Sequence, residues 1–425
     1  MYDRIACMHN ISCGIDFGTT NSVAALATPE KVELVPLEED KKTLPTAIFC
    51  SKTERLFGQV AIDAYMQGKD GRFMRSMKRI LGTDLMNSTT LINGKQISFD
   101  SLIGSFLKEV KTRLENHIYL EIDSVVFGRP VHYQDYNPGA DKLAEDKMHS
   151  IAQSVGFKNI MFQYEPIAAA FAHEQNLTQD KIALVADLGG GTSDFTVIHI
   201  GPSYRQKADR KEDILATSGI RVGGNDFDRD LSVSSFMPQF GEKTTYGAKN
   251  LPVPEFFFTH LSEWSQINLM YTPKNICMVK DILLNAHHPE RVENLLLLLE
   301  MQQAHQLLQI VEKAKIDLTK EKQIKTFFDN LGECLKFEVT QNDFEKAVQN
   351  ECDKIIQSMK ECLSLAALSS DAIDMLILTG GTSQIPLVQG AIRHLFPNAL
   401  ISDKQRMESV ALGLAHMAQK VFSLS

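Results

Sequence analysis

The apolar residues of the chain fall into short strand-like runs separated by polar turns. Apolar runs on both sides of "GTTN" at 18–21 predict a strand–turn–strand hairpin, and "KIALVADLGGGTSDFTVIHI" at 181–200 predicts a second one. "SVVFGRP" at 124–130 predicts a buried strand that ends at a proline, and "IDMLILTGG" at 373–381 predicts a further strand.

Helical spacing of apolar positions alternates with these strands. It covers 59–81 and 101–118, and "DKMHSIAQSVG" predicts a helix that Gly156 closes. "IPLVQGAIRHLF" predicts a helix after the last strand, and "RVENLLLLLEMQQAHQLLQIVEKAK" predicts one long amphipathic helix. The alternation of strands and helices favours α/β architecture.

Length and charge limit the class of protein. A chain of 425 residues exceeds the usual size of one hydrophobic core and is expected to form two or more lobes. Its 44% hydrophobic and 23% charged residues are typical of a soluble globular protein. The net charge of −9 argues against nucleic acid as the main partner.

The cysteines and apolar runs point to a reducing compartment. Seven cysteines are scattered without CxxC spacing, which argues against a zinc site or a disulfide framework. The N-terminal residues lack the apolar core of a signal peptide, and the longest aliphatic run, at 295–299, is far shorter than a membrane span. We therefore expect a cytoplasmic monomer with no membrane partner.

An internal repeat carries the candidate chemistry. "GIDFGTTNSV" and "VADLGGGTSDFTV" each place an aspartate, Asp16 or Asp187, at the end of an apolar strand and just before a Gly/Thr turn. Glycine-rich turns form anion-binding nests, and threonine hydroxyls add donors, which suits phosphate. Two carboxylates beside phosphate require a cation, and Mg²⁺ could be held between them largely through water. The first turn alone is a common structural feature, and the second is rarer because three glycines after a buried strand weaken that strand. The matched pair predicts a Mg-nucleotide site between two lobes.

Seven segments of the chain resemble a known family. "GIDFGTTNS", "ADLGGGTSDFTVI" and "LILTGGTSQIP" are similar to the two phosphate motifs and the adenosine motif of the actin-like ATPase superfamily. Within it, "MKRILG", "YEPIAAAFAH", "VGGNDFDRDL" and "VEKAKIDLT" resemble the nucleotide-binding domain of the seventy-kilodalton heat-shock chaperones. The resemblance implies an α/β, ribonuclease H-like fold with two lobes around a central nucleotide cleft, and ATP or ADP with Mg²⁺ as ligands.

The resemblance also implies a role for each matching residue. Asp16, Asp187 and Asp194 would surround the metal, and Lys78 would reach the γ-phosphate and the attacking water. Glu165 would position that water or couple hydrolysis to lobe movement, and Asp187 and Thr192 complete the catalytic set. The residues expected at the phosphates are Gly18, Thr19, Thr20, Asn21, Gly189, Gly190, Gly191 and Thr192. Those expected around the nucleoside are Gly223, Gly224, Glu312, Lys315, Thr319, Gly380, Gly381 and Thr382.

Simpler interpretations of two of these residues stay open, and the chain departs from the family pattern elsewhere. Without the motifs, Lys78 would be a solvated lysine and Glu165 a helix-start acid. Ile316 and Gln384 stand where the family sandwiches adenine between two arginines, so a cation–π contribution is lost and nucleotide preference is open. Glu145 falls about where the family has an arginine that signals to its substrate domain.

The resemblance implies the following domain organisation. Lobe I comprises 1–187 and 400–425 with 37–118 as its upper subdomain, and lobe II comprises 188–399 with 230–343 as its upper subdomain. We expect no substrate-binding domain, as in the shorter YegD-type chaperone-like proteins. The aromatic segment at 252–264 either fills the core of the second upper subdomain or forms an exposed patch for a partner protein.

Four functions are compatible with these residues. The first is a slow ATPase whose lobe closure signals nucleotide state to an unidentified protein partner. The second is a sugar or small-molecule kinase of the same superfamily, for which the sequence lacks a sugar-kinase signature. The third is a non-catalytic nucleotide-binding module, which the loss of both arginines favours. The fourth is an actin-like filament.

Overall fold

The computed structural model describes residues 11–131, 133, 138–174, 177–205, 207, 210–332, 334–402 and 408–422. The strands are β1 Ser12–Phe17, β2 Asn21–Ala27, β3 Val32–Leu34, β4 Thr43–Pro45, β5 Ala47–Cys50, β6 Arg55–Phe57, β7 Arg72–Arg75, β8 Thr89–Ile92, β9 Lys95–Ser98, β10 Ser124–Arg129, β11 Asn159–Tyr164, β12 Lys181–Leu188, β13 Ser193–Ile200, β14 Ile214–Ile220, β15 Thr245–Tyr246, β16 Leu251–Pro252, β17 Gln323–Phe328, β18 Leu335–Thr340, β19 Met375–Thr379 and β20 Leu400–Ser402.

Helices alternate with these strands, as the sequence predicts. They are α1 Gln59–Met66, α2 Phe99–Ile118, α3 Pro138–Ser154, α4 Glu165–Glu174, α5 Gly224–Leu231, α6 Glu255–Leu261, α7 Ile267–Met270, α8 Pro273–Leu283, α9 Pro289–Glu300, α10 Ala304–Leu318, α11 Gln341–Leu365, α12 Pro386–Leu395 and α13 Ser409–Phe422. None of the described helices is long and apolar enough to cross a membrane.

Two sheets with the same strand order organise the chain. The first runs β11–β10–β1–β2–β3, with β4 also paired to β2, and the second runs β20–β19–β12–β13–β14. Each has an antiparallel hairpin at its centre, β1–β2 or β12–β13, flanked by a parallel strand, β10 or β19. The repeat seen in the sequence is therefore a repeat of sheet topology, and both predicted hairpins are confirmed.

The two sheets are covered by apolar cores built on different helices. The first core joins Cys13, Ile15 and Phe17 of β1 to residues of α2 such as Phe106, which is fully buried. A second core contains residues of α4, of α13 and of the second sheet, Ile198 among them. The apolar runs of the hairpins are thus buried on both faces, which explains why they lack polar alternation.

The described residues divide into two compact units. The first unit draws on Met1–Gly219, Ser358–Ser383 and Leu395–Ser425, and it contains both sheets just described. The second unit draws on Ile220–Gln357 and Gln384–His394. The lobe and subdomain boundaries expected from the resemblance stay a prediction.

Two of the helices predicted from apolar spacing are wrong in extent. Helix α1 ends at Met66, Gly68 takes φ +70°, and Arg72–Arg75 then pairs with β5 as strand β7. Pairing in a sheet overrides the helical spacing of 59–81 here. The predicted long helix is two helices, α9 and α10, because Gln302 between them takes φ +54° and breaks the hydrogen-bond ladder.

The aromatic segment of the second unit is largely core. Phe257 and Phe258 on α6 are almost fully buried, and Phe256 stacks on Phe257 at a centroid distance of 4.3 Å. Trp264 packs against His305 of α10 at 5.1 Å. The structural interpretation of 252–264 is therefore confirmed, and the described side chains do not form the exposed partner patch.

Candidate functional site

The turns of the two central hairpins are built alike. Phe17 pairs with Ser22 across the first turn, and Leu188 pairs with Ser193 across the second, so each turn encloses the same number of residues. The carbonyl of Gly18 accepts a hydrogen bond from Thr46 Oγ1 at 2.8 Å.

The second turn has the matching bond from another part of the chain. The carbonyl of Gly189 accepts a hydrogen bond from Thr382 Oγ1 at 2.9 Å, and the N–H of Gly189 donates to the carbonyl of Thr192 at 2.9 Å. Each of the two turns is therefore held by a threonine distant in sequence. Rigid turns of this kind can present backbone N–H groups to an anion without reorganising.

Asp16 and Asp187 lie at the ends of β1 and β12, as the sequence predicts. Burial raises the pKa of Asp16 to about 8, Glu165 and Asp187 contribute to the rise, and Lys78 opposes it. Burial and Glu165 also raise the pKa of Asp187, although Thr379 Oγ1 donates to Asp187 Oδ1 at 2.8 Å and opposes the shift. A negative charge on Asp187 thus disfavours the charged form of Asp16.

Asp194 lies directly opposite Asp187 in the pairing of β12 with β13, so it is a third aspartate beside the second turn. Thr192 Oγ1 donates to Asp194 Oδ2 at 3.0 Å. Incomplete solvation and the charge of Asp187 raise the pKa of Asp194, while the bond from Thr192 lowers it. Asp194 and Thr192 are nevertheless exposed, so this carboxylate is open to a ligand from solvent.

Two glycines make room for these acids. A Cβ at Gly219 of β14 would lie 2.7 Å from Asp194 Oδ1. Gly380 takes φ +77°, and a Cβ there would lie 2.2 Å from the carbonyl oxygen of Leu188. Side chains at either position would displace the second hairpin or its carboxylate.

Lys78 and Glu165 form an ion pair beside the aspartates. Lys78 is in a tight turn, Met77–Ile80, which follows Ser76 in the left-handed region, and Glu165 is the first residue of α4. Lys78 Nζ lies 2.6 Å from Glu165 Oε1, and both side chains are only 12% exposed. Burial disfavours the charge on Lys78, but Glu165 and Asp16 outweigh it and raise the pKa of Lys78. The solvated-lysine interpretation of Lys78 is therefore wrong.

The composition of the site suits a divalent cation and phosphate. Desolvation and the charge of Glu165 raise the pKa of each of the three aspartates, Asp16, Asp187 and Asp194, and the ammonium of Lys78 opposes the rise in each. Among the described residues no group of three or more acids, histidines or cysteines is close enough to ligate a metal directly. Thr20 Oγ1 is buried in the first turn without a hydrogen-bond partner in the described chain, as expected of a ligand-binding hydroxyl.

The residues expected around the nucleoside fall into both units. Gly380, Gly381 and Thr382 belong to the first unit, where Thr382 supports the second turn. The remaining residues, Gly223, Gly224, Glu312, Lys315 and Thr319, belong to the second unit.

Within the second unit, Lys315 and Thr319 form hydrogen bonds with neighbouring parts of the fold. Lys315 Nζ lies 2.8 Å from Asp228 Oδ2 and 3.1 Å from the carbonyl oxygen of Gly224, so it fastens α10 to α5. Thr319 Oγ1 donates to the carbonyl of Ile316 at 2.6 Å. Ile316 itself is 52% exposed, so its side chain is accessible at the surface of this unit.

Sequence reasoning missed several residues that support the site. Thr379 directly precedes the glycines of the third motif, and its position at a strand end could have indicated it. Thr46 and Gly219 had no such indication, because only the fold brings them to Gly18 and Asp194.

Two matched sheets, each with an acid-ended hairpin, define a protein of the actin-like ATPase fold. The family model described as "Hsp70 protein" matches residues 12–251 and 289–423, and the chain belongs to this family. It is 28% identical over 422 residues to chaperone protein DnaK of Thermosipho melanesiensis, an alignment that covers 95% of this chain and 58% of that protein. Chaperone protein DnaK of Thermosipho africanus shows the same identity and coverage. The chain thus spans 58% of the length of these curated relatives.

Proposed function

We propose that the chain binds Mg-ATP at the paired hairpins, hydrolyses it slowly, and uses the nucleotide state as a switch for a protein partner. The observation that carries this proposal is the Lys78–Glu165 ion pair, which lies in the same electrostatic group as the aspartates of both hairpins. Phosphoryl transfer needs positioned groups and charge neutralisation more than covalent chemistry.

The cation would be held near Asp16, Asp187 and Asp194, mostly through water molecules. When bound, Mg²⁺ would neutralise negative charge on the phosphates. Desolvation raises the pKa of Asp16 to about 8 and that of Asp194 to about 7, and a nearby cation would favour the charged form of both carboxylates. Thr20 and the backbone N–H groups of 18–21 and 189–192 would bind the phosphate oxygens.

Lys78 and Glu165 would have different roles in hydrolysis. The ammonium of Lys78 stays charged at neutral pH, since the pKa of Lys78 is raised, and it would stabilise negative charge on the transferred group. Glu165 Oε1 bonds to Lys78, so Oε2 is the oxygen through which Glu165 would orient the attacking water.

A second function, nucleotide binding without hydrolysis, is favoured by one observation. Ile316 is 52% exposed and Gln384 is exposed, so neither position offers a guanidinium to an adenine ring. Weaker adenine binding would make the protein a nucleotide sensor of low selectivity. The protein partner, the monomeric state and the cytoplasmic location stay predictions.

Calorimetric titration with ATP and ADP, with and without Mg²⁺, together with single-turnover phosphate release tests the proposal. We expect binding that requires Mg²⁺ and slow release that Lys78→Ala abolishes while binding is retained. Lys158→Ala is the matched control, because Lys158 pairs with Asp123 at the surface and is 71% exposed. Equal turnover in wild type and Lys78→Ala would overturn hydrolysis at this site, and the absence of nucleotide binding would overturn both functions.

A further inference from the structure

The first turn directs two of its carbonyl groups at Thr46. Thr46 stands between β4 and β5 and is 1% exposed. Its N–H donates to the carbonyl of Thr20 at 2.8 Å, and its Oγ1 donates to the carbonyl of Gly18 at 2.8 Å. One residue, held by a strand on each side, therefore fixes two peptide groups of the turn.

These two bonds also set the direction of the N–H groups. In a trans peptide group the C=O and the N–H point in opposite directions. The N–H groups of Thr19 and Asn21 therefore point away from Thr46. No hydrogen bond within the described chain engages the N–H of Thr19, and the hydroxyl of Thr20 has no partner there either. The turn thus keeps donors for an anion.

Ser22 fixes the hydroxyl of Thr46 in turn. The two side-chain oxygens lie 2.9 Å apart, and Ser22 is fully buried. A hydroxyl has one proton to donate, and that of Thr46 goes to Gly18, so Ser22 is the donor to Thr46. The bonds therefore run in one direction, from Ser22 through Thr46 to the carbonyl of Gly18.

The second turn repeats this arrangement at the equivalent peptide group. Gly189 corresponds to Gly18, because each directly follows the last residue of the strand before its turn. The carbonyl of Gly189 accepts from Thr382 Oγ1 at 2.9 Å, so the N–H of Gly190 points away from Thr382. Across the described residues, nothing accepts a hydrogen bond from that N–H. A threonine from a distant segment thus orients the same peptide group in both hairpins.

We propose that Thr46 and Thr382 are positioning residues, which turn the N–H groups of Thr19 and Gly190 towards phosphate oxygens of the nucleotide. The inference rests on the proposed function, because it needs a phosphate at the paired hairpins. A peptide donor that is already oriented costs no reorganisation when it binds an anion. Loss of either threonine hydroxyl would free a peptide group and would weaken phosphate binding while leaving binding of the nucleoside unchanged.

Thr46→Val removes the hydroxyl and keeps the shape of the side chain. We expect the affinity for Mg-ADP and for Mg-ATP to fall by about tenfold, with the affinity for adenosine unchanged. Thr46→Ser keeps the donor and should restore wild-type affinity. The matched control is Thr259→Val, which removes a hydroxyl that donates to the carbonyl of Glu255 in the second unit.

Calorimetric titration with adenosine, Mg-ADP and Mg-ATP measures these affinities, and thermal melting shows whether each variant folds as the wild type does. A loss of adenosine affinity equal to the loss of Mg-ADP affinity would mean that Thr46 has only a structural role, which overturns the inference. Unchanged Mg-ADP affinity in folded Thr46→Val overturns it as well, while the proposed function stands. If neither nucleotide binds to the wild type, the proposed function fails and this inference fails with it.

Two further variants decide the question if Thr46→Val does not fold. Ser22→Ala keeps the bond from Thr46 to Gly18, so we expect Mg-ADP affinity to fall by at most about threefold. Thr382→Val removes the matching bond of the second turn and should weaken Mg-ADP binding by about tenfold without affecting adenosine. Wild-type Mg-ADP affinity in Thr382→Val, or a tenfold loss in Ser22→Ala, would overturn the assigned roles.

Discussion

Asp187 and Asp194 are directly opposite each other in the antiparallel pair of β12 and β13. Carboxylates at directly opposed positions destabilise a hairpin when both are charged. In the first hairpin the position opposite Asp16 is Val23. The two hairpins therefore share their topology but differ in the charge at this position. The second hairpin places two opposed carboxylates where the first places one.

Asp16 makes the unliganded protein sensitive to pH. The pKa of Asp16 is raised to about 8 in the folded protein, whereas the ordinary value of an aspartate is near 4. Because the folded state binds this proton more tightly, stability is greatest below the ordinary pKa and is lost as the pH rises towards 8. Asp16→Asn should flatten this dependence and stabilise the unliganded protein at pH 8 by about 1 kcal/mol or more.

Urea unfolding of wild type and Asp16→Asn at pH 5 and pH 8, without divalent cations, measures this effect. Asp100→Asn is the control, because Asp100 forms a half-exposed ion pair with Lys147 outside the site. A wild type that is no less stable at pH 8 than Asp16→Asn would contradict the burial of a charged Asp16.

Bound magnesium should make the charged Asp16 carboxylate stabilising at pH 8, where it is destabilising in the unliganded protein. A cation that binds the folded protein alone adds stability that grows with its concentration, and it favours the charged carboxylates. We expect Mg²⁺ with ADP to raise the melting temperature of wild type at pH 8 more than that of Asp16→Asn or Asp187→Asn. Equal increases in all three proteins would show that the cation lies elsewhere.

The central parts of the site could be predicted because the chain repeats them. An acid at the end of a buried strand and a glycine-rich turn are local patterns, so Asp16 and Asp187 were found from sequence. The bonds of Thr46 and the space at Gly219 could not be found, because they depend on which segments the sheets bring together. Helices were misjudged where a single residue, such as Gln302, changes backbone conformation inside an apolar pattern.

The Lys78–Glu165 pair should behave as one energetic unit. Each side chain is 12% exposed, so removal of one leaves a largely buried charge without its partner. Glu165→Gln and Lys78→Met should each destabilise the protein, and the double variant should lose clearly less than the sum, with a coupling of about 1–3 kcal/mol. A double-mutant cycle in urea measures the coupling, and additive losses would contradict the pair.

A buried charge network away from the candidate site should matter for stability alone. Glu174 is fully buried at the end of α4. Arg210 Nη1 lies 2.9 Å from Glu174 Oε2, and the same guanidinium also forms an ion pair with Asp213. The N–H of Gly201 donates to Glu174 Oε1 at 2.7 Å. These bonds connect the segment after β13 to α4, and they provide the buried charges of Glu174 and Arg210 with hydrogen-bond partners in place of water.

Removal of one charge from this network should be costly. We expect Glu174→Gln to reduce the free energy of unfolding by about 3–5 kcal/mol, because Arg210 would lose a charged partner inside the protein. Lys207→Ala is the control: Lys207 also pairs with Asp213, but it is 46% exposed and should contribute at most about 1 kcal/mol. Urea unfolding compares the two variants, and nucleotide titration at saturating Mg²⁺ should give wild-type affinity for both. Equal stability losses would mean that Glu174 is less buried in solution than its 0% exposure indicates.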